Sequence, residues 1–204
     1  AQTQTAAERV LQTEERRLRF LARASDAARD ASDPERVMEA MAALLGRTLK
    51  ASRCAYADVE PDGDRFTIRY DYVDGVPSSV GDYRLDLFGP RAAADMRSGR
   101  KLVIRDVDRE LAPSGGADTF NAIGIKAVVC CPLVRGGRLR AMMAVHQTVP
   151  RDWTREEIDL VEAGVETVFG GRDQAYEELD DDTWEGVERG VAQHGLPDLQ
   201  IAYF

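Results

Sequence analysis

The stretch that decides the fold reads Asn121-Ala-Ile-Gly-Ile-Lys-Ala-Val-Val-Cys-Cys-Pro-Leu-Val-Arg-Gly-Gly-Arg-Leu-Arg-Ala-Met-Met-Ala-Val-His146. It opens with a short helical turn that ends at Gly124. Two apolar runs follow, 126–134 and 139–147, and the Arg135-Gly136-Gly137-Arg138 between them signals a β-hairpin. Just downstream, Trp153-Thr154-Arg155-Glu156-Glu157 contains a Thr-x-x-Glu capping box. It launches a helix whose apolar face is Ile158, Val161, Val165 and Val168.

Towards the N-terminus, residues 6–31 read as helix, free of Gly and Pro and rich in Ala, Arg and Glu. Leu11, Leu18 and Ser25 fall on one heptad position and Glu14, Leu21 and Ala28 on another, a short seam suited to parallel helix pairing. A helix lying on its own domain is the other reading of the same pattern. Ser32-Asp33-Pro34-Glu35 breaks the chain and starts a second helix, with Val37, Met41, Leu44, Leu45 and Thr48 on one face. After Lys50 the period changes to two. Residues 53–59 form a strand and Pro61-Asp62-Gly63-Asp64 a turn. Phe66, Ile68, Tyr70 and Tyr72 alternate with polar residues in a second strand, and Tyr83, Leu85 and Leu87 repeat this in a third. A short helix from Gly89-Pro90, a brief strand at 102–104 and a polar loop over 106–119 lead back to the hairpin. This order predicts an α+β layer fold. One central antiparallel sheet of about six strands carries the terminal helices on one face and short helices and loops on the other.

Composition narrows the function. The chain has 204 residues, 44% hydrophobic and 31% charged, with a formal charge of −9, an ordinary globular composition. Nine acids against two bases follow position 171, so the body is nearly neutral and no nucleic-acid partner is expected. No run approaches the ~18 apolar residues of a membrane helix, and no signal-peptide apolar region opens the sequence. Cys54, Cys130 and Cys131 form neither a disulfide framework nor a CxxC site, so a reducing cytoplasm is the expected location.

The segment 121–160, with its short helix, strand ending in Pro132-Leu133, glycine hairpin, last strand and capped helix, resembles the closing half of a GAF domain. Ala141 stands where that family often has Gly. In element order the resemblance extends over roughly residues 34–170. It implies a small-molecule sensor or regulatory dimerisation module, with a pocket between one sheet face and the middle helices and loops. It also implies terminal helices that pair in a parallel homodimer and act on a downstream kinase or other output domain, as in the two-component systems of bacteria. The chain then divides into a signalling or dimerisation helix at 1–31, a GAF domain at 32–171 and an acidic helical extension at 172–204. Just before that extension Phe169-Gly170-Gly171 interrupts the preceding helix, a local weakness of about 1 kcal/mol per Gly, and within it Asp180-Asp181-Asp182-Thr183 caps another carrying Trp184, Val187 and Val191.

Candidate chemistry is sparse. No phosphate-cradling glycine loop or nucleophile elbow is present, so no enzyme is expected. Asp106, Asp108 and Glu110 lack the glycine and later bidentate Glu of a calcium loop. Alternation suggests a ligand pocket lined by Tyr70, Tyr72, Tyr83, Leu85, Leu87, Met96, Phe120, Ile123 and Met143, with His146 at the end of the last strand. Residues of these types also simply fill cores. Arg105, Arg109 and Asp118 on the middle loops could select a phosphate-bearing ligand. The resemblance adds that bilin-binding GAF domains carry a His near the end of the corresponding strand, and imidazole is also a haem ligand. Against covalent bilin attachment, residues 1–53 contain no Cys, and the helix around Phe120 lacks the Cys-His pair of plant-type members. The sequence leaves the ligand and any cofactor unidentified. It leaves open two alternatives to a small-molecule sensor, a ligand-free dimerisation module and a tetrapyrrole sensor.

Overall fold

A computed structural model describes residues 6–30 and 34–176. The elements are α1 (Ala6–Asp30), α2 (Pro34–Leu49), β1 (Arg53–Val59), β2 (Arg65–Val73), β3 (Gly81–Arg84), α3 (Gly89–Arg97), β4 (Leu102–Ile104), α4 (Val107–Glu110), α5 (Ala117–Ala122), β5 (Ala127–Arg135), β6 (Arg138–Gln147) and α6 (Arg155–Tyr176). One six-stranded sheet has the order β3-β2-β1-β6-β5-β4, and every neighbouring pair is antiparallel. The chain divides after Phe169 into two compact units, and the first holds the whole sheet, α1 to α5 and most of α6.

Sheet pleating sends alternate residues to two separate cores. On one face α1, α2 and α6 cover Cys54, Tyr56, Val129, Cys131, Met143 and Val145 with Phe20, Met41, Leu45, Val161 and Val165. On the other, Ala55, Ala57, Phe66, Ile68, Val128, Cys130 and Met142 meet residues of α3, α5 and the connections between them. The adjacent cysteines therefore point to opposite faces. α1 lies on its own unit through Phe20 and Ala24, both buried. Its seam residues Leu11 and Leu18 stay exposed, and Leu21 is partly buried.

The capping box at the start of α6 is realised in both directions. Glu157 N–H donates to Thr154 Oγ1 at 3.2 Å and Thr154 N–H to the Glu157 carboxylate at 2.9 Å, which satisfies two otherwise unpaired donors. α6 continues through Gly170 and Gly171 to Tyr176; the expected interruption there does not occur, since each glycine weakens a helix by only about 1 kcal/mol. The third strand is shorter than alternation suggests. Residues 85–88 form a 3₁₀ turn, which turns Leu85 and Phe88 inward and leaves Leu87 61% exposed. The expected cap at Ser32-Asp33 and helix around Trp184 lie outside the described residues.

Candidate functional site

The central sheet and its irregular cover do not close on each other completely. Between them lies a hollow of about 60 Å³, floored by β1, β2, β5 and β6 through Ala55, Ala57, Phe66, Ile68, Val128, Cys130, Met142, Ala144 and His146. Leu85, Phe88, Ala92, Met96, Phe120, Ile123 and Ile125 roof it, with Leu102 at the side. Alanines on the floor leave the space, and aromatics frame the roof. Phe88 and Phe120 meet edge to face with centroids 5.0 Å apart, and Phe66 stacks on Tyr83 at 5.5 Å. Such pairs add about 0.5–1.5 kcal/mol each beyond their burial.

The cover is held down by backbone contact. A Cβ on Gly116 would lie 2.0 Å from the Phe88 carbonyl oxygen, and one on Gly89 1.9 Å from that of Gly115. Both glycines also have positive φ, +107° and +92°, so this crossing requires Gly on both strands of chain. Thr119 Oγ1 donates to the Leu87 carbonyl at 2.5 Å, tying α5 to the same turn.

At one end of the hollow stands a buried polar strut that the sequence pattern does not single out. Arg53, 4% exposed, donates to the Pro77 carbonyl at 2.9 Å and to the Ile123 carbonyl at 3.3 Å. Its Nε is 4.0 Å from the Asp71 carboxylate. Asp71 in turn accepts from the hydroxyls of Ser78 and Ser79, at 2.8 and 3.0 Å, and from the Ser79 N–H. The strut ties the 74–80 connection and the end of α5 to the sheet, which a burial penalty on two charges demands. Desolvation pulls the Arg53 pKa down, partly offset by Asp71.

His146 sits opposite Arg53 in the β1–β6 register and lines the hollow at 6% exposure. Burial, with the Arg53 charge beside it, pushes its pKa down to about 3, so the ring is neutral at physiological pH. Its Nδ1 is the one buried side-chain nitrogen or oxygen among the described residues with no hydrogen-bond partner. Such an atom costs roughly 1–3 kcal/mol while it stays unpaired.

Of the ten suggested pocket residues, Leu85, Met96, Phe120, Ile123 and His146 line the hollow. Tyr83 packs beside it, stacked on Phe66, its hydroxyl donating to the Ser79 carbonyl. Tyr70, Tyr72 and Met143 belong to the helix-covered face instead. The cause for the tyrosines is a bulge. Tyr56 pairs with Tyr70 but the next residue, Ala57, pairs with Ile68, so Arg69 is extra and every later side chain in β2 changes face. Tyr72 then lies against Gly46 of α2, Tyr70 donates to Glu35 at 2.7 Å, and Asp71 turns to the strut. Leu87 is lost to the 3₁₀ turn.

The charged loop residues do not converge on the hollow. Arg109 pairs with Asp106 at 3.3 Å and Arg105 with Asp152 at 3.8 Å, and Asp118 is exposed. Asp106 caps α4, Asp108 accepts from Lys126 and Asn121, and Glu110 accepts from Arg91 and from the Arg105 N–H. Among the described residues no cluster of three His, Cys, Asp or Glu side chains could hold a metal ion, and no helix is long and apolar enough to cross a membrane.

These features define an α+β domain with helices on one sheet face and a capped hollow on the other. The chain belongs to the GAF domain family, whose family model matches residues 33–168. Among solved structures it is similar to the phycoerythrobilin-bound GAF domain of a cyanobacterial phytochrome (18% identity, 78% of this chain and 96% of that one, TM-score 0.68). It is also similar to the chromophore-binding domain of a bacteriophytochrome from R. palustris (16%, 80% and 62%, 0.66). A third is the GAF domain of an Acinetobacter phosphoenolpyruvate-protein phosphotransferase (11%, 79% and 95%, 0.61). At these identities the likeness is one of fold. No curated protein sequence matches the chain.

A tetrapyrrole does not fit the residues present. Pockets for drug-sized ligands run to about 300–1,000 Å³, and here Phe88 and Phe120 occupy the space above the sheet. Cys130 is the only cysteine on the hollow; its Sγ donates to Met96 Sδ at 3.5 Å, and burial pushes its pKa up to about 12, which leaves no thiolate for covalent attachment.

Proposed function

We propose that the chain is a non-enzymatic sensory GAF domain of a cytoplasmic bacterial signal-transduction protein. It binds a small molecule in the hollow between sheet and cover and works as a homodimer through its terminal helices. The observation that carries this reading is an incompletely filled hollow of about 60 Å³ between the sheet and its cover, with a carbon-rich wall to which His146 contributes. Exposed Val10, Leu11 and Leu18 on α1, 63–71% accessible, support pairing with a second copy and with it transmission to a kinase or other output domain. Ligand binding would act by differing in affinity for two packings of the paired helices.

The test is native mass spectrometry of the protein purified from its source cells, followed by denaturation and analysis of what is released. A stoichiometric small molecule supports the receptor reading. An empty protein whose hollow also excludes xenon would leave the ligand-free dimerisation module.

A further inference from the structure

We infer that the hollow takes a short hydrocarbon, a guest of about two to four carbons with no hydrogen-bonding group. The inference rests on the receptor reading and names the ligand chemistry that fits it. The wall is almost wholly apolar, because the polar groups around it are already spent or turned away. All four floor strands, β1, β2, β5 and β6, have a neighbour on both sides in the sheet, so the ladder consumes their backbone N–H and C=O groups. In the roof, the Leu87 carbonyl accepts from Thr119. The Cys130 thiol donates to Met96 Sδ at 3.5 Å. The Arg53 donors are engaged by the Pro77 and Ile123 carbonyls, and His146 Nδ1 is itself buried.

Such a wall selects its occupant by elimination. A water held in a protein interior needs about two to four polar partners, and none are offered here. An ion would be stranded among carbon atoms, and a polar organic group would give up its hydrogen bonds to water without replacement. A hydrocarbon loses nothing on entry and gains dispersion contacts that an empty space forfeits. Met96, Met142 and Cys130 line the hollow, and their polarisable sulfurs suit such a guest. Size sets the rest. About 60 Å³ is under half the ~150 Å³ of an apolar cavity that admits benzene. All the lining residues except Ile123 and Ala144 are buried, so the guest is confined to that volume and is a short chain rather than a ring.

Methyl-detected NMR on the full chain tests this with xenon, ethane, propane, n-butane, benzene and 1-propanol as probes. Xenon and the alkanes should shift the methyl signals of Ile68, Ile125 and Val128, saturably and in competition. Affinity should rise about fourfold per carbon from ethane to n-butane, the worth of one buried methylene. Benzene should bind more weakly than n-butane. 1-Propanol, with as many heavy atoms as n-butane, should bind at least about tenfold more weakly, because its hydroxyl finds no partner. Ala57→Val and Ala144→Val each fill floor space equal to about two carbons, so each should weaken n-butane about tenfold or more with circular dichroism unchanged. Binding of 1-propanol as tight as that of n-butane, benzene binding tighter than n-butane, xenon entry without the alkanes, or n-butane affinity unchanged in the valine variants overturns the hydrocarbon assignment and leaves the receptor reading standing. Exclusion of xenon and every alkane overturns both. Should neither variant fold, the comparison of n-butane with 1-propanol and benzene on the unaltered protein decides.

Discussion

At the scale of single residues, His146 and Asp71 show how burial turns ordinary side chains into stability levers. The folded-state pKa of His146 is about 3 against an ordinary 6.5. Between those values the unfolded chain binds a proton that the native state refuses, so stability rises with pH and is lost as pH falls from about 6.5 towards 3. The slope contributed by one group reaches at most about 1.4 kcal/mol per pH unit. Urea denaturation at several pH values from 7.5 to 4.5 should therefore show a steeper decline for the unaltered protein than for His146→Leu; parallel declines would mean that the imidazole is solvated. Asp71 is the counterpart. Asp71→Ala strips three acceptor contacts from the 74–80 connection and leaves the Arg53 guanidinium buried without its carboxylate. Removing one partner of a buried pair costs about 3–5 kcal/mol. Here the lower end is expected, because the Pro77 and Ile123 carbonyls remain. A loss below about 1 kcal/mol in a urea titration would show that those carbonyls alone satisfy Arg53.

At the scale of elements, the cover over the hollow depends on one glycine crossing. Gly116→Ala should destabilise by clearly more than about 1 kcal/mol, because a left-handed backbone is joined by a Cβ 2.0 Å from the Phe88 oxygen. Gly136→Ala in the β5–β6 turn shares a positive φ but meets nothing within 4 Å, so about 1 kcal/mol is expected there. Thermal unfolding of the two variants side by side checks the difference, and equal losses would mean that the crossing relaxes. The contrast also explains what was legible. The hairpin and the capping box are written in adjacent residues, so the closing half of the fold can be read directly. The β1–β2 and β5–β6 pairings can be read from their turns as well, whereas β1 beside β6 joins segments far apart in the chain and carries no local signal. Which face a side chain takes was not legible beyond Ile68, because Arg69 carries no Gly or Pro to mark the bulge. Met142 and Met143 pose the same difficulty in a strand covered on both sides, where apolar residues stand at both phases. Arg53 and Asp71 reveal themselves only weakly, as charges set among apolar strand neighbours.

At the scale of the whole molecule, α1 divides its apolar residues between two tasks. Phe20 and Ala24 face inward and are buried, and Thr13 Oγ1 donates to Glu156 of α6 at 2.7 Å, so the helix is docked on its own unit. Val10, Leu11 and Leu18 remain 65%, 71% and 63% exposed. Leu11 and Leu18 are seven residues apart and so share one stripe, which a parallel second copy would cover. Leu11→Lys combined with Leu18→Lys should convert a dimer at tens of micromolar into a monomer, measured by sedimentation equilibrium. Because neither side chain supports the monomer's core, circular dichroism and xenon binding in the hollow should stay unchanged. A monomeric unaltered protein under those conditions would remove pairing through α1. If pairing holds, linkage fixes its relation to the hollow: a ligand that binds the dimer tenfold more tightly than the monomer must strengthen dimerisation tenfold per site occupied. Dimerisation constants measured with and without xenon in the hollow would then separate a domain whose hollow communicates with α1 from one in which the two are independent.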